Sequence, residues 1–181
     1  MALKATIFKA ELQIADMDRG HYADYALTLA RHPSETDERM LVRLAAFMLH
    51  ADETLAFASG LSSEDEPDLW RRDLTGRVRQ WITVGLPDEK AVRKACGRAD
   101  AVCIVAYGGH AAQLWWKKNA SALAGCKSLT VVDLPQASTR ALAALARRNM
   151  QLQCSIQEGL LLVTNGDASV QLEPRLLKAA S

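Results

Sequence analysis

The sequence predicts an α/β (α+β) fold in which a mixed β-sheet is flanked by helices. Three observations predict it. Residues 4–31 alternate apolar and polar side chains on either side of the turn Asp16-Met17-Asp18-Arg19-Gly20, the pattern of a half-buried antiparallel hairpin. Residues 101–107 form an unbroken apolar run, and a helical stretch separates them from a second buried strand at Lys127–Leu134. Strand, helix, strand at this spacing is a right-handed parallel crossover. Between these blocks, His32-Pro33-Ser34 and Leu86-Pro87-Asp88 each open a helix, the second closed by Gly97.

In the opening hairpin, Thr6, Phe8, Ala10, Leu12 and Ile14 face inward, with Lys9, Glu11 and Gln13 on the other side. The returning strand, residues 22–31, points Ala23, Tyr25, Leu27 and Leu29 inward. His32-Pro33-Ser34-Glu35-Thr36-Asp37 then starts a helix with Ser34 as its cap and acids in its first turn. That helix runs to about Ala51, with Met40, Leu41, Leu44, Ala45, Phe47 and Met48 forming a wide apolar stripe. Glu38 stands three and seven positions before Leu41 and Ala45, so it leans toward the buried face. It is either an acid complementing the helix dipole or a carboxylate aimed at the sheet edge.

A short strand at 54–58 and the acidic loop Ser62-Ser63-Glu64-Asp65-Glu66 lead into two strands, Asp68–Leu74 and Arg77–Val84. With Thr75-Gly76 as a two-residue loop, Trp70 lies opposite Trp81 and Asp68 opposite Thr83. All four then share one face, with Arg77 and Arg79 beside them, and Val78, Ile82 and Val84 face the core. Leu86-Pro87-Asp88 opens a helix that Gly97 closes. Its outer face carries Lys90, Arg93, Lys94 and Arg98, and Val92, Ala95 and Cys96 point inward.

Gly108-Gly109-His110 turns into a helix from about Ala111 to Leu123, on which Trp115 and Trp116 point in different directions. Gly108-Gly109 lacks the Lys-Ser/Thr of a phosphate loop and reads as a plain turn. Residues 135–148 predict an Ala- and Leu-rich helix, and Met150–Ile156 with Leu160–Thr164 a C-terminal hairpin followed by Val170–Leu172. The final residues are predicted to fray. With no internal repeat and no long linker, the 181 residues read as a single domain, 1–181.

Composition narrows the function classes. A net charge of +1 does not advertise a polyanion partner, so affinity for nucleic acid would come from local patches. Cys96, Cys103, Cys126 and Cys154 form no Cys-x-x-Cys pair, so they read as reduced, mostly buried thiols rather than zinc ligands or a disulfide framework. No apolar stretch approaches the roughly 20 residues that span a bilayer, and no signal-like segment opens the chain. A soluble, cytoplasmic protein is the expectation.

From Ser34 onward the order helix, strand, strand, strand, helix, strand resembles the PD-(D/E)xK core of restriction-endonuclease-like nucleases, here with added N- and C-terminal β-hairpins. The whole chain also resembles the bacterial YaeQ family, which is classed with PD-(D/E)xK-like folds. That likeness rests on the opening Met1-Ala2-Leu3-Lys4-Ala5-Thr6-Ile7-Phe8-Lys9-Ala10 and the block from Ala30 to Met40. It rests too on Glu66-Pro67 with Trp70, Trp81-Ile82, Gly85-Leu86-Pro87-Asp88-Glu89-Lys90, and Lys94-Ala95.

The resemblance implies Asp68 as the motif acid and Glu38 as the first-helix acid, together holding Mg²⁺. Lys90, or as the second choice Lys94, would orient the attacking water from a migrated position. Thr83 occupies the slot where the family's Trp-Ile-Glu carries an acid, and a neutral hydroxyl is a weak ligand for Mg²⁺. Two functions follow. One is a binding module on a degenerate nuclease site, for nucleic acid or for a protein partner. The other is a Mg²⁺-dependent phosphodiesterase acting on DNA or RNA, with Arg71, Arg72, Arg77 and Arg79 gripping the backbone.

Overall fold

The computed structural model describes residues 4–59 and 65–181. Its strands form two mixed sheets rather than one. The five-stranded sheet takes β1 (Thr6–Asp16), β2 (His21–Arg31), β8 (Asn149–Gln157), β9 (Leu160–Thr164) and β10 (Ser169–Leu172), in the order β10-β9-β8-β1-β2. The six-stranded sheet takes β3 (Leu55–Phe57), β4 (Leu69–Arg72), β5 (Val78–Val84), β6 (Ala99–Tyr107), β7 (Leu129–Leu134) and β11 (Arg175–Lys178), in the order β11-β7-β6-β5-β4-β3. The predicted terminal hairpins are therefore not appendages. β1 pairs in parallel with β8, which joins the β1–β2 and β8–β9 hairpins into one layer.

Helix α1 (Asp37–His50) lies between the sheets, and its nine consecutive residues Met40–Met48 are all buried. One apolar cluster joins Phe8, Leu12 and Leu152 of one sheet, through Leu44 and Phe47, to Leu69, Ile82 and Val105 of the other. A helix covered on all sides needs no polar face, so the apolar stripe expected from sequence widens to the full circumference. Arg43 is the exception, at 2% exposure. It is tolerated because Nε and Nη2 donate to the two Glu35 carboxylate oxygens at 3.0 and 2.6 Å and Nη2 also donates to the Ala30 carbonyl at 3.0 Å. Helix α4 (Gln136–Ala143) packs on α1 on this side. Helices α2 (Glu89–Cys96) and α3 (His110–Leu123) join the second cluster on the opposite face, around Trp81, Ile104 and Leu129.

Several predicted boundaries move for identifiable reasons. Thr36, not Ser34, caps α1, its hydroxyl accepting from the Arg39 N–H at 3.1 Å. Ser34 is instead committed to the His32 ring, 2.7 Å away. Helix α4 stops at Ala143 instead of Arg148, because the chain must deliver β8 to β1. The Lys9 N–H donates to the Arg148 carbonyl and the Arg148 guanidinium to the Ile7 carbonyl. The C-terminal residues pair antiparallel with β7 instead of fraying, and Lys178 Nζ donates to the carbonyls of Cys126 and Leu129. Trp115 and Trp116 are both half-buried against the second cluster.

The central hairpin has the predicted Trp70↔Trp81 register but reaches it differently. Its closing bonds, Asp73 N–H to Arg77 and Gly76 N–H to Asp73, make the loop three residues long, with Gly76 at φ +88°. A register shift beside Arg71 and Arg72 leaves Arg79 without a pairing partner and absorbs the extra residue. The two errors of the predicted hairpin cancel at the indoles. They do not cancel at Val78, which packs with the Trp81 cluster rather than on the core side with Ile82 and Val84.

Candidate functional site

Strands β5, β6 and β7 run parallel, and β4 runs against β5. The start of β4 therefore meets the carboxyl end of β5, the end of an open parallel sheet where ligands usually bind. Asp68 sits there, immediately before β4. Its Oδ2 accepts the Val84 N–H at 2.7 Å and its Oδ1 accepts Arg39 Nη2 at 2.8 Å. Its backbone N–H donates to the carbonyl of Ile82, the residue paired with Leu69, so Asp68 is tied to β5 just beyond the paired residues. Thr83 Oγ1 accepts the Trp81 indole N–H at 3.0 Å, so these two side chains share a face.

Asp68, Trp81 and Thr83 line one cleft of about 230 Å³ with Glu66, Pro87, Asp88, Ala91, Val92, Ala95 and Ile104. Hairpin and α2 form its walls. The cleft carries three carboxylates and no base among its lining residues. The Asp88 carboxylate caps α2 at the Ala91 N–H, and Glu66 accepts from the Ser59 hydroxyl.

Two predicted members stand elsewhere. Glu38 accepts a hydrogen bond from the Thr139 hydroxyl of α4 at 3.1 Å, turned to the helix side of α1. Lys90 lines a neighbouring groove between α2 and α3, with Trp115 and Lys118, because Ala91, Val92 and Ala95 are the α2 residues that face the Asp68 cleft. Among the described residues, no three Asp, Glu, His or Cys side chains converge as a metal-ligand set.

The four arginines are also engaged within the chain. Arg77 and Arg79 both bond Asp100, and Arg79 pairs with Asp73 as well. Arg71 faces Asp52 at 3.4 Å, and the Arg72 guanidinium lies 4.2 Å from the centre of the Trp70 ring.

What sequence reasoning missed is the partner of Asp68. Arg39 spans Glu35, at 2.6 Å, and Asp68. Burial works against its charge, but Asp68 and Glu35 outweigh that and hold its pKa above the ordinary value. Tyr107, at the end of β6, shares this neighbourhood. Burial raises its phenol pKa, Arg39 opposes the rise, and Glu38, Glu35 and Asp68 add to it. The available signal was the spacing of Glu35, Arg39 and Arg43, four residues apart each time, which stacks acid and bases on one side of a helical segment.

Residues 1–174 match the YaeQ protein family. The chain belongs to the YaeQ family. It is 45% identical over 173 residues to the uncharacterized YaeQ protein of Salmonella typhi, and 43% identical over 172 residues to that of Escherichia coli K12. These alignments cover 96% and 95% of each partner, respectively. The crystal structure of YaeQ from Xanthomonas axonopodis pv. citri superposes with a TM-score of 0.94 at 51% identity, covering 97% of this chain and 99% of that one. YaeQ from Pseudomonas syringae gives 0.92 at 36% identity, covering 97% of both. The two-sheet arrangement is therefore that of YaeQ structures along essentially its whole length.

Proposed function

We propose that this chain is a protein-binding module in which an acidic cleft on a nuclease-like scaffold receives a basic side chain of a partner, without hydrolysis. The observation that carries the reading is the state of Asp68. Each of its oxygens already accepts a strong donor, and one donor is the guanidinium of Arg39. Mg²⁺ needs hard oxygen ligands with free lone pairs and keeps several waters. Asp68 is already paired with the positive guanidinium of Arg39, which opposes a second cation there, Glu38 is turned to Thr139, and Thr83 supplies a neutral oxygen. These residues do not fit the ion.

Electrostatics favours a protein over a nucleic acid. With Asp68 paired to Arg39, the Glu66 and Asp88 carboxylates beside an apolar floor repel phosphate and suit an ammonium or guanidinium whose stem packs on Trp81, Pro87 and Val92. Arg71, Arg77 and Arg79 are neutralised by Asp52, Asp73 and Asp100, so little counterion release is left for these three to supply.

The test pairs two titrations. Calorimetry with Mg²⁺ is expected to show no heat with wild type, and Thr83→Glu is expected to leave that unchanged while Asp68 remains bonded to Arg39. An array of short basic peptides is expected to be retained by wild type and lost on Glu66→Gln/Asp88→Asn. Mg²⁺-dependent cleavage of DNA or RNA that disappears in Asp68→Asn would overturn the proposal in favour of a phosphodiesterase. So would tight, steeply salt-dependent DNA binding with no peptide retention, in favour of a nucleic-acid module.

A further inference from the structure

A second cavity adjoins the cleft. The groove between α2 and α3, of about 590 Å³, shares Pro87 and Asp88 with the Asp68 cleft, so the two spaces meet at the chain that leads into α2. This ridge is tied down on both sides. The Asp88 carboxylate accepts the Ala91 N–H at 2.7 Å, and the Trp115 indole N–H of α3 donates to the Pro87 carbonyl at 2.6 Å. Asn119, buried one turn further along α3, donates to the Trp115 carbonyl at 2.8 Å.

The two spaces carry opposite charge. Helical spacing puts Lys90 and Arg93 on one side of α2 and Trp115 and Lys118 on one side of α3, and all four line the groove. Arg93 is spent within the chain, on Glu89 at 2.8 Å and on the Ala122 carbonyl. Lys90 and Lys118 are exposed and form no ion pair among the described residues. In the cleft, Asp68 is spent on Arg39, which leaves the carboxylates of Glu66 and Asp88. Apolar surface joins the two ends. Trp81 and Val92 lie on the cleft side, Pro87 on the ridge, and Trp115 with Leu86, itself 38% exposed, on the groove side.

We infer that an extended peptide segment of a partner protein crosses the Pro87-Asp88 ridge, with a basic side chain in the cleft and an acidic one against Lys90 and Lys118. The inference rests on the cleft reading proposed above and adds the second half of what the partner must carry. Charge complementarity selects this occupant. A purely basic segment suits Glu66 and Asp88 but is repelled by the two lysines, and a phosphodiester chain suits the lysines but is repelled by the two carboxylates. A segment of both signs meets neither repulsion, and an apolar residue between its charges covers Leu86 and Trp115. An extended chain advances about 3.3 Å per residue and the two cavities adjoin, so the charges belong about two to four residues apart.

The experiment measures fluorescence anisotropy with the full chain and short labelled peptides carrying one Arg and one Glu at varied spacing in a background of Ala and Leu. A matched set carries Gln in place of Glu. At the best spacing the Arg–Glu peptide is expected to bind about fivefold or more tightly than its Gln match. Lys90→Glu/Lys118→Glu, a change at two exposed positions, is expected to remove that advantage without weakening the Gln peptide. On this variant a peptide with Lys in place of Glu is expected to gain what the Glu peptide loses, a rescue that a folding defect cannot produce. Glu66→Gln/Asp88→Asn is expected to weaken both peptides. Equal binding of the Glu and Gln peptides at every spacing, weakened only by the cleft variant, would overturn the inference and leave the cleft reading in place. Failure of every peptide to bind would remove both. Binding of a labelled single-stranded oligonucleotide that Lys90→Glu/Lys118→Glu abolishes would also overturn the inference and assign the groove to nucleic acid.

Discussion

Arg39 Nη2 stands 2.8 Å from Asp68 Oδ1, joining the first turn of α1 to the start of β4 at the carboxyl end of the six-stranded sheet. The Asp68 side chain is 8% exposed and that of Arg39 22%, so both charges are largely withdrawn from water. Removing one partner strands the other, which costs more than removing both. Arg39→Ala is expected to lower stability by about 2–3 kcal/mol, and the double variant with Asp68→Ala by clearly less than the sum of the singles. A double-mutant cycle in urea measures this. Additive losses would mean the pair is not an anchor.

His50 gives a pH signature. Burial, then the charge of Arg19, holds its pKa down to about 4, and Gln80 Nε2 stands 3.1 Å from its Nδ1. The unfolded chain titrates near 6.5. Below that value it takes up a proton that the native ring refuses, so stability falls as pH drops from 6.5 toward 4. The loss is at most about 3 kcal/mol. Urea midpoints for wild type and His50→Gln are expected to diverge at neutral pH and converge toward pH 4, with the wild type showing the steeper decline.

Gly109 has φ +63°, and a Cβ there would lie 2.8 Å from Gln136 Oε1. Gly109→Ala is expected to cost about 1–3 kcal/mol, mostly from the backbone. Adding Gln136→Ala relieves only the contact and is expected to recover the smaller part. Full recovery in thermal unfolding would place the cost in the contact instead.

Asp100 neutralises two arginines at once. Asp100→Ala is expected to raise the affinity for nucleic acid above that of wild type. Its log–log salt dependence should steepen by about 1–2, one counterion for each released guanidinium. Fluorescence anisotropy with a labelled duplex across a salt series reads this directly.

The parts of the fold set by local pattern were legible. The alternation in β1 and β2, the apolar run of β6, the α3 crossover to β7, and the Trp70–Trp81 pairing all follow from side-chain period and turn residues. The β1–β8 pairing was not, because Lys9 and Asn149 meet across most of the chain and no local pattern encodes that contact. Within the site, strand alternation puts Asp68, Trp81 and Thr83 on one face of the hairpin, and the structure lines one cleft with them. Arg39 was missed because its value comes from Asp68, a partner 29 residues away. Lys90 was misjudged because a short helix presents different walls to two grooves, and composition does not say which wall a lysine joins.

Strand β1 lies in the middle of its sheet, with β2 on one side and β8 on the other. During synthesis the first hairpin and α1 leave the ribosome long before residues 149–157 exist. Until then β1 carries a bare row of peptide groups, and the central helix lacks part of its cover. The nascent chain must therefore be shielded from its neighbours until translation is nearly finished, and a release of the first 148 residues alone would yield an aggregating fragment.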